Sequence, residues 1–284
     1  MKFLHYIKND EINLAVKTDE GVFSLKDFST KLPSDLNELL KGGKEAVLAI
    51  EAALKGDKPA AIDEENLVYA PAVPNPEKIL CIGLNYYAHG KEIKMKIPET
   101  PTVFSKFNNA LAAHNSDIKL PDAAFKFDYE AELVIVIGKE GKNIKKEEAL
   151  DHVFGYTIGN DVSARDLQML TGQWLIGKTC DGFAPMGPYI VTADEIEPQN
   201  LEIGCKVNGE TVQLSNTSNM IFDCAFIISY ISQYITLKPG DVIFTGTPSG
   251  VILGKAPEEQ VWLKAGDEME IFIEKLGSLK NKLI

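Results

Sequence analysis

The sequence predicts a β-rich α+β fold, with a small N-terminal α/β module before a larger strand-rich part. Most apolar segments are short and bounded by glycine, proline, asparagine or aspartate, which is typical of strands. The chain has 284 residues, of which 45% are hydrophobic and 25% charged, enough for a sizeable core. It contains no G-x-G-x-x-G sequence, so no dinucleotide motif supports a doubly wound sheet instead.

The first 70 residues are predicted to form the small module. Its short runs MKFLHYI, INLAVK and GVFSL are separated by KNDE and TDEG, a pattern that indicates strands joined by tight turns. LNELLKGGKEAVLAIEAALKG then has helical content, which Gly42 and Gly43 interrupt. The proline-rich stretch YAPAVPNPEK favours an extended linker. We therefore predict two domains, 1–70 and 71–284.

Strands dominate the second part. Predicted strands lie in the segments KILCIGLN, TPTVFSKF, AELVIVIG, YTIGND, PMGPYIVT, LEIGCKVNGETVQ and DVIFTGTP. KVNGETV contains the Asn-Gly pair of a hairpin turn, and KKEEALDHVFG begins as a short helix. MIFDCAFIISYISQY, from about Met220 to Tyr234, predicts a helix with a broad apolar face.

Charge and cysteine usage narrow the class of protein. With 29 Lys and Arg against 41 Asp and Glu, the net charge is −12, which repels nucleic acids and anionic membranes. The four cysteines form no C-x-x-C pair, so we expect free thiols and a cytoplasmic location. The most apolar stretch, 221–237, is too short and too polar to span a membrane. We expect neither a nucleic-acid nor a membrane partner.

Asp128-Tyr129-Glu130-Ala131-Glu132 leads into the apolar run LVIVIG. Residues i and i+2 of a strand point to the same face, so Glu130 and Glu132 project together, and Asp128 could join them. E-x-E alone fits a solvated strand end equally well. Asp161, however, follows another apolar strand, and three carboxylates at strand ends suit a hard divalent cation. The pattern favours Mg²⁺, with Mn²⁺ or Ca²⁺ as alternatives.

Three further segments carry candidate residues. His89 and Glu92 are separated by one helical turn, so the carboxylate could orient the imidazole as a base. Lys178 lies in the glycine-bounded stretch GQWLIGKTCDG, where it could hold a carboxylate or an enolate. Thr247 lies in TGTPSG, a tight loop suited to an anion. Each segment alone also fits an ordinary surface helix, lysine or turn.

Together these segments are far more specific. The order GLNYYAHGKE, DYEAELVIVIG, GNDVSARDLQ, GQWLIGKTCDGFAPMGP, VNGE and TGTPSGV, from about residue 78 to 250, resembles the fumarylacetoacetate hydrolase family. The resemblance implies a mixed β-sandwich roll and a homodimer. The residue roles that it implies are a metal bound by Glu130, Glu132 and Asp161, catalysis by His89, Glu92 and Lys178, and substrate binding by Arg165, Gln173 and Thr247.

The resemblance also implies a reaction. We predict a metal-dependent hydrolase that cleaves a C–C bond in an anionic 2,4-dioxo acid, such as an acylpyruvate or fumarylacetoacetate, and releases pyruvate or a related acid. His89 would deprotonate the attacking water. The alternatives are an oxaloacetate decarboxylase or a dienoic diacid isomerase or decarboxylase on the same metal site. A non-catalytic metal- or carboxylate-binding protein is less consistent with the intact His89, Glu92 and Lys178.

Overall fold

The computed structural model describes residues 1–96 and 98–284. Its strands are β1 Lys2–Lys8, β2 Glu11–Thr18, β3 Gly21–Ser24, β4 Ile79–Gly83, β5 Thr102–Lys106, β6 Leu111–Ala112, β7 Asp117–Ile118, β8 Phe127–Asp128, β9 Ala131–Ile137, β10 Val153–Asn160, β11 Ser163–Ala164, β12 Ala184–Thr192, β13 Glu202–Val207, β14 Glu210–Asn216, β15 Val242–Phe244, β16 Glu268–Ile273 and β17 Gly277–Leu283. Its α-helices are α1 Leu36–Leu54, α2 Tyr87–Glu92, α3 Arg165–Gln168, α4 Leu175–Lys178 and α5 Cys224–Ser232. The predicted β-rich α+β fold is confirmed.

A ten-stranded sheet forms the centre of the molecule. Its strand order is β3-β2-β1-β12-β10-β9-β15-β4-β5, and β6 also pairs with β12. The three N-terminal strands thus extend the same sheet, because β1 pairs with β12. The domain boundary at residue 70 stays a prediction, and strands from both sides of it share one hydrogen-bonded sheet.

Strand β9 is buried on both faces. Val134 and Val136 pack with apolar residues of β1, β2 and α1. Leu133, Ile135 and Ile137 point the other way, toward the second sheet and α5. The second sheet has five strands in the order β14-β13-β16-β17-β7. The central sheet therefore lies between two apolar layers, which hold the ends of its strands in fixed positions.

Local sequence signals account for several boundaries. Asn208 and Gly209 both have positive φ angles, 51° and 85°, and they form the predicted turn between β13 and β14. Helix α1 is interrupted at Gly43, which has φ 52° and ψ −134°, as the Gly-Gly pair predicts. Within the described residues, no helix is long and apolar enough to cross a membrane.

Helix α5 is shorter than predicted. It covers Cys224–Ser232 rather than about 220–234. The reason is the Asp223 carboxylate, which accepts a hydrogen bond from the Phe226 amide at 2.7 Å and caps the helix. Before it, the Ile221 amide donates to the Asn85 carbonyl at 2.8 Å, so the chain there is tied to another segment.

Candidate active site

Three buried carboxylates meet at one end of the central sheet. Glu130 precedes β9, Glu132 is the second residue of β9, and Asp161 follows the antiparallel neighbour β10. The register pairs Gly159 with Glu132, and the Asp161 amide donates to the Glu130 carbonyl at 3.0 Å. One oxygen from each carboxylate lies within 4.8 Å of the others. We call Glu130, Glu132 and Asp161 the carboxylate cluster.

Three buried cations contact the cluster, and we call Lys106, Arg165 and Lys178 the cationic trio. Lys178 Nζ lies 2.7 Å from Glu130 Oε2 and 2.8 Å from Asp161 Oδ2. Arg165 donates to Glu130 Oε1 at 2.6 Å, and Lys106 donates to Asp161 Oδ1. An unpaired charge buried in the protein would cost several kcal/mol. The three positive groups therefore allow three carboxylates to be buried side by side.

The environment separates the acidities of the cluster. Burial raises the pKa of Glu130, but Lys178 and Arg165 outweigh burial and hold that pKa well below its usual range. Burial and the neighbouring Asp161 and Glu130 raise the pKa of Glu132 well above its usual value. Burial alone would lower the pKa of Lys178. The negative charges of Asp161 and Glu130 have the larger, opposite effect, so the pKa of Lys178 is raised. Glu132 is thus the carboxylate with the least positive charge around it.

The donor set of the cluster fits a hard divalent cation. All three groups are carboxylates, the ligands that Mg²⁺, Mn²⁺ and Ca²⁺ prefer. Glu132 contacts neither Lys178 nor Arg165 within ion-pair distance and accepts one backbone bond, from the Gly246 amide at 2.7 Å. A cation bound here would stabilise the ionised form of Glu132, which forms no ion pair with the cationic trio.

His89 and Glu92 lie together on the short helix α2, as predicted. His89 Nδ1 is 3.4 Å from Glu92 Oε2, and the His89 side chain is only 5% exposed. The Gly250 amide donates to Glu92 Oε1 at 2.9 Å, so the loop after β15 holds the carboxylate that faces the imidazole.

The candidate substrate-binding residues differ in position. Thr247 is buried, and its hydroxyl accepts from Gln213 Nε2 at 2.9 Å. Arg165 is also buried beside the cluster. Gln173 is exposed and is not among the residues that line the cavity, whereas Gln168 and Trp174 are. The role of Gln173 in substrate binding stays a prediction.

A cavity joins these groups. Its polar lining comprises His89, Glu130, Glu132, Arg165, Gln168, Lys178 and Thr247. Apolar walls come from Ile82, Leu84, Ile93, Met95, Phe104, Met169, Trp174 and Leu253. The histidine, the lysine and two cluster carboxylates therefore face the same small space, which suits a ligand with few heavy atoms.

The segment that carries Lys178 also matches a different motif. Residues 172–179, GQWLIGKT, fit the G-x-x-x-x-G-K-[ST] pattern of phosphate-binding loops. That function needs a strand before the loop, but α3 precedes this segment and Lys178 is paired with carboxylates. Gly177 has another purpose, because a Cβ there would lie 2.3 Å from the Gln168 amide nitrogen. The glycine permits close packing of α3 and α4.

Sequence reasoning missed three positioning residues. Lys106 is buried under Asp161. Gln213 accepts from the Ala131 amide at 3.0 Å and donates to Thr247. Asn85 donates to the Thr245 carbonyl at 2.7 Å and so ties the entry of α2 to the end of β15. Lysine and glutamine carry no local signal for burial, whereas Asn85 lies inside the motif GLNYYAHGKE.

Comparison with known proteins agrees with this geometry. The model of the fumarylacetoacetate hydrolase C-terminal family matches residues 78–284. The mitochondrial oxaloacetate tautomerase fahd2 of Xenopus laevis is 42% identical over 276 residues, which cover 96% of this chain and 86% of that protein.

Solved structures show the same fold. Fumarylacetoacetate hydrolase from Exiguobacterium antarcticum is 33% identical, with a TM-score of 0.86 over 100% of this chain and 99% of that chain. Fumarylpyruvate hydrolase from Pseudomonas aeruginosa, in complex with Mn²⁺ and pyruvate, is 33% identical, with a TM-score of 0.68 over 77% of this chain and 99% of that chain.

Proposed function

The chain belongs to the fumarylacetoacetate hydrolase family, and we propose that it is a metal-dependent enzyme whose main reaction is the keto–enol tautomerisation of oxaloacetate. One observation carries the proposal: His89, Lys178, Glu130 and Glu132 line one cavity, and Asp161 lies directly beside the two glutamates. The relative from Xenopus laevis, similar along nearly the whole chain, is named for this reaction.

Tautomerisation moves one proton between C3 of the substrate and the oxygen on C2, and no atom is lost. His89, oriented by Glu92, would take the proton from C3, and the ammonium group of Lys178 would hold the C2 oxygen while it carries charge. A proton from water would then complete the enol, and His89 would return its proton to water. Arg165 and Thr247, which line the cavity, are the groups proposed to bind the carboxylates of the substrate. Gln173, the third predicted group, lies outside that lining.

Glu130, Glu132 and Asp161 would hold the metal, which we propose to be Mg²⁺ or Mn²⁺. When bound, the ion would polarise the 2-oxo group and stabilise the enolate. The Mn²⁺ in the similar fumarylpyruvate hydrolase supports the choice of a divalent ion. A cytoplasmic location stays a prediction.

The predicted C–C hydrolysis becomes the second candidate. The His89–Glu92 pair favours it, because a base of this kind can also activate water. The likeness to fumarylpyruvate hydrolase points the same way. The sequence predicts oxaloacetate only as a substrate for decarboxylation. The relative from Xenopus laevis supports this predicted alternative in its substrate, oxaloacetate, but is named for a different reaction, tautomerisation.

Two assays on one preparation separate these reactions. Ultraviolet absorbance of the enol of oxaloacetate follows tautomerisation, and coupled detection of pyruvate follows decarboxylation or acylpyruvate hydrolysis. We expect faster ketonisation with Mg²⁺ or Mn²⁺ and loss of this activity with excess EDTA. Pyruvate release from acylpyruvates without any effect on oxaloacetate ketonisation would contradict the tautomerase proposal and support hydrolysis.

The His89→Ala variant tests the base. A positioned general base contributes about 10²–10⁴-fold, so the metal-dependent rate should fall by that amount while Mn²⁺ binding by calorimetry is retained. His152→Ala is the matched control, because His152 lies outside the cavity and contacts the Lys139 carbonyl. Equal rates for both variants would remove His89 from the reaction.

A further inference from the structure

Asp128 is a buried carboxylate whose hydrogen-bonding capacity is already used. Its two oxygens accept from Arg165 Nε at 2.9 Å and from the amides of Tyr129, Ile252 and Leu253 at 3.0, 2.9 and 3.1 Å. A carboxylate offers about four lone-pair sites. Although Asp128 stands two residues before Glu130, it is therefore committed to protein donors and not to the cavity.

Arg165 connects Asp128 to the carboxylate cluster. Its Nε donates to Asp128, and another nitrogen of the same planar group donates to Glu130 at 2.6 Å. Because the guanidinium is rigid and always charged, the position of Asp128 fixes the direction from which Arg165 reaches Glu130.

The same aspartate holds the loop 246–254, which follows β15. This loop donates from Gly246 to Glu132 at 2.7 Å and from Gly250 to Glu92 at 2.9 Å. Asp128 accepts two amides near the end of the loop. The Tyr129 hydroxyl donates to the Gly250 carbonyl at 2.8 Å, so two adjacent residues fix both Gly250 and the two amides beyond it.

We infer that Asp128 is a positioning residue that links the carboxylate cluster to the His89–Glu92 pair through the loop 246–254. Asp128 sets Glu130 through Arg165, and it sets Glu92 through the Gly250 amide of the loop. Its catalytic consequence rests on the proposed function, in which His89 acts as the base. The mechanical link itself depends only on the observed hydrogen bonds.

The test is Asp128→Asn, which keeps the size of the side chain but turns a donor toward Arg165 or the loop amides. Hydrogen exchange of residues 248–254 should become faster without any substrate present. If His89 is the base, kcat should fall about 100-fold, as for a small misplacement, while KM changes little. In a His89→Ala background the same substitution should cause a smaller loss, because only the effect through Arg165 and Glu130 then remains.

The control is Asp241→Asn. Asp241 is equally buried and also accepts backbone amides, from Lys78 and Lys238, but it lies at the other end of β15. It should lower stability and leave exchange of residues 248–254 unchanged. If Asp128→Asn fails to fold, Tyr129→Phe removes only the hydroxyl bond to Gly250 and should speed loop exchange to a smaller extent.

The outcomes separate the two proposals. Unchanged loop exchange in Asp128→Asn, or in Tyr129→Phe where that variant replaces it, overturns the link whether or not the protein turns over oxo acids. Equal rate losses with and without His89 overturn it as well, because a general structural defect would act in both backgrounds. Faster loop exchange in a protein inactive on every oxo acid supports the link and contradicts the proposed function.

Discussion

Lys106 has a fully buried side chain, yet nothing near it in the sequence marks it as special. Its amino group donates to Asp161 and to the carbonyls of Val162 and Phe183. All its donors are thus used inside the protein. Lys106 thus stabilises the buried carboxylate of Asp161, whose other ion-pair partner is Lys178.

We predict that Lys106→Met lowers the free energy of unfolding by about 3 kcal/mol or more, as expected when one partner of a buried ion pair is removed. Lys238→Met is the control, since the Lys238–Glu77 pair is about half exposed and such pairs contribute roughly 0–1 kcal/mol. Urea unfolding with EDTA present measures both without metal linkage. Similar losses would show that Lys106 is not needed to balance the buried charge.

The residues predicted from sequence are those with a local signature. The E-x-E pattern before LVIVIG and an aspartate after an apolar strand placed Glu130, Glu132 and Asp161 correctly beside one another. Lys106 and Gln213 are not predicted, because their contacts join segments far apart in the chain. Burial of such a side chain is a property of the tertiary fold, which no window of sequence contains.

The loop 246–254 is an element whose shape depends on glycine. Gly250 has φ +106°, and a Cβ there would lie 2.2 Å from the Val212 carbonyl oxygen. Its amide also faces Glu92. A side chain at this position would therefore move the loop away from β14 and away from α2 at once.

We predict that Gly250→Ala lowers the free energy of unfolding by about 1–3 kcal/mol more than Gly209→Ala, the range for overpacked sites. Gly209 also has a positive φ, +85°, but a Cβ there would meet no atom within 4 Å, so this control carries only the backbone cost. Urea unfolding of both variants gives the comparison. Equal destabilisation by the two substitutions would show that the loop accommodates the extra methyl group with no further loss of stability.

Turn residues and apolar patterns within a few positions predict the strands well, whereas the pairing of distant strands has no local signal. The three N-terminal strands and the Asn208-Gly209 hairpin follow from alternation and turn residues. Pairing of β1 with β12 joins residues almost two hundred positions apart, and neither strand shows its partner in its sequence. The apolar run around α5 is longer than the helix itself, because Asp223 caps the helix inside that run.

The stability of the whole molecule should depend on pH through His5 in β1. Burial lowers the pKa of His5 from 6.5 to about 4, against a smaller opposite effect of its hydrogen bond to the Ala72 carbonyl. Between pH 6.5 and about 4, His5 is protonated in the unfolded chain but neutral in the folded protein. The free energy of unfolding therefore falls as the pH falls through this range. At roughly 1.4 kcal/mol per pKa unit, the loss is about 3 kcal/mol.

The measurement is urea unfolding at several pH values for the wild type and His5→Asn, whose amide can also donate to Ala72. The difference between the two curves isolates His5 from His114, whose pKa burial also lowers to about 4. We expect the wild type to lose more stability than the variant in this range. Parallel curves would show that His5 does not contribute.

The homodimer implied by the family resemblance remains a prediction about the whole molecule. Phe107, Phe125, Leu170 and Ile176 are more than half exposed in the single chain, and exposed apolar side chains of this size are common at protein interfaces. Light scattering at micromolar concentration should give twice the chain mass of 31.2 kDa. A single species at the chain mass would contradict the dimer.

The cationic trio also affects how an anionic ligand reaches the cavity. Asp128 and the carboxylate cluster supply four carboxyl groups beside three buried cations, inside a chain of net charge −12. At low ionic strength the long-range field therefore slows diffusional encounter with a dicarboxylate, and attraction begins only near the mouth of the cavity. Added salt shortens the Debye length to about 10 Å at 0.1 M, which weakens the repulsion more than the buried contacts. We expect kcat/KM for oxaloacetate to rise with moderate salt, the reverse of electrostatic steering.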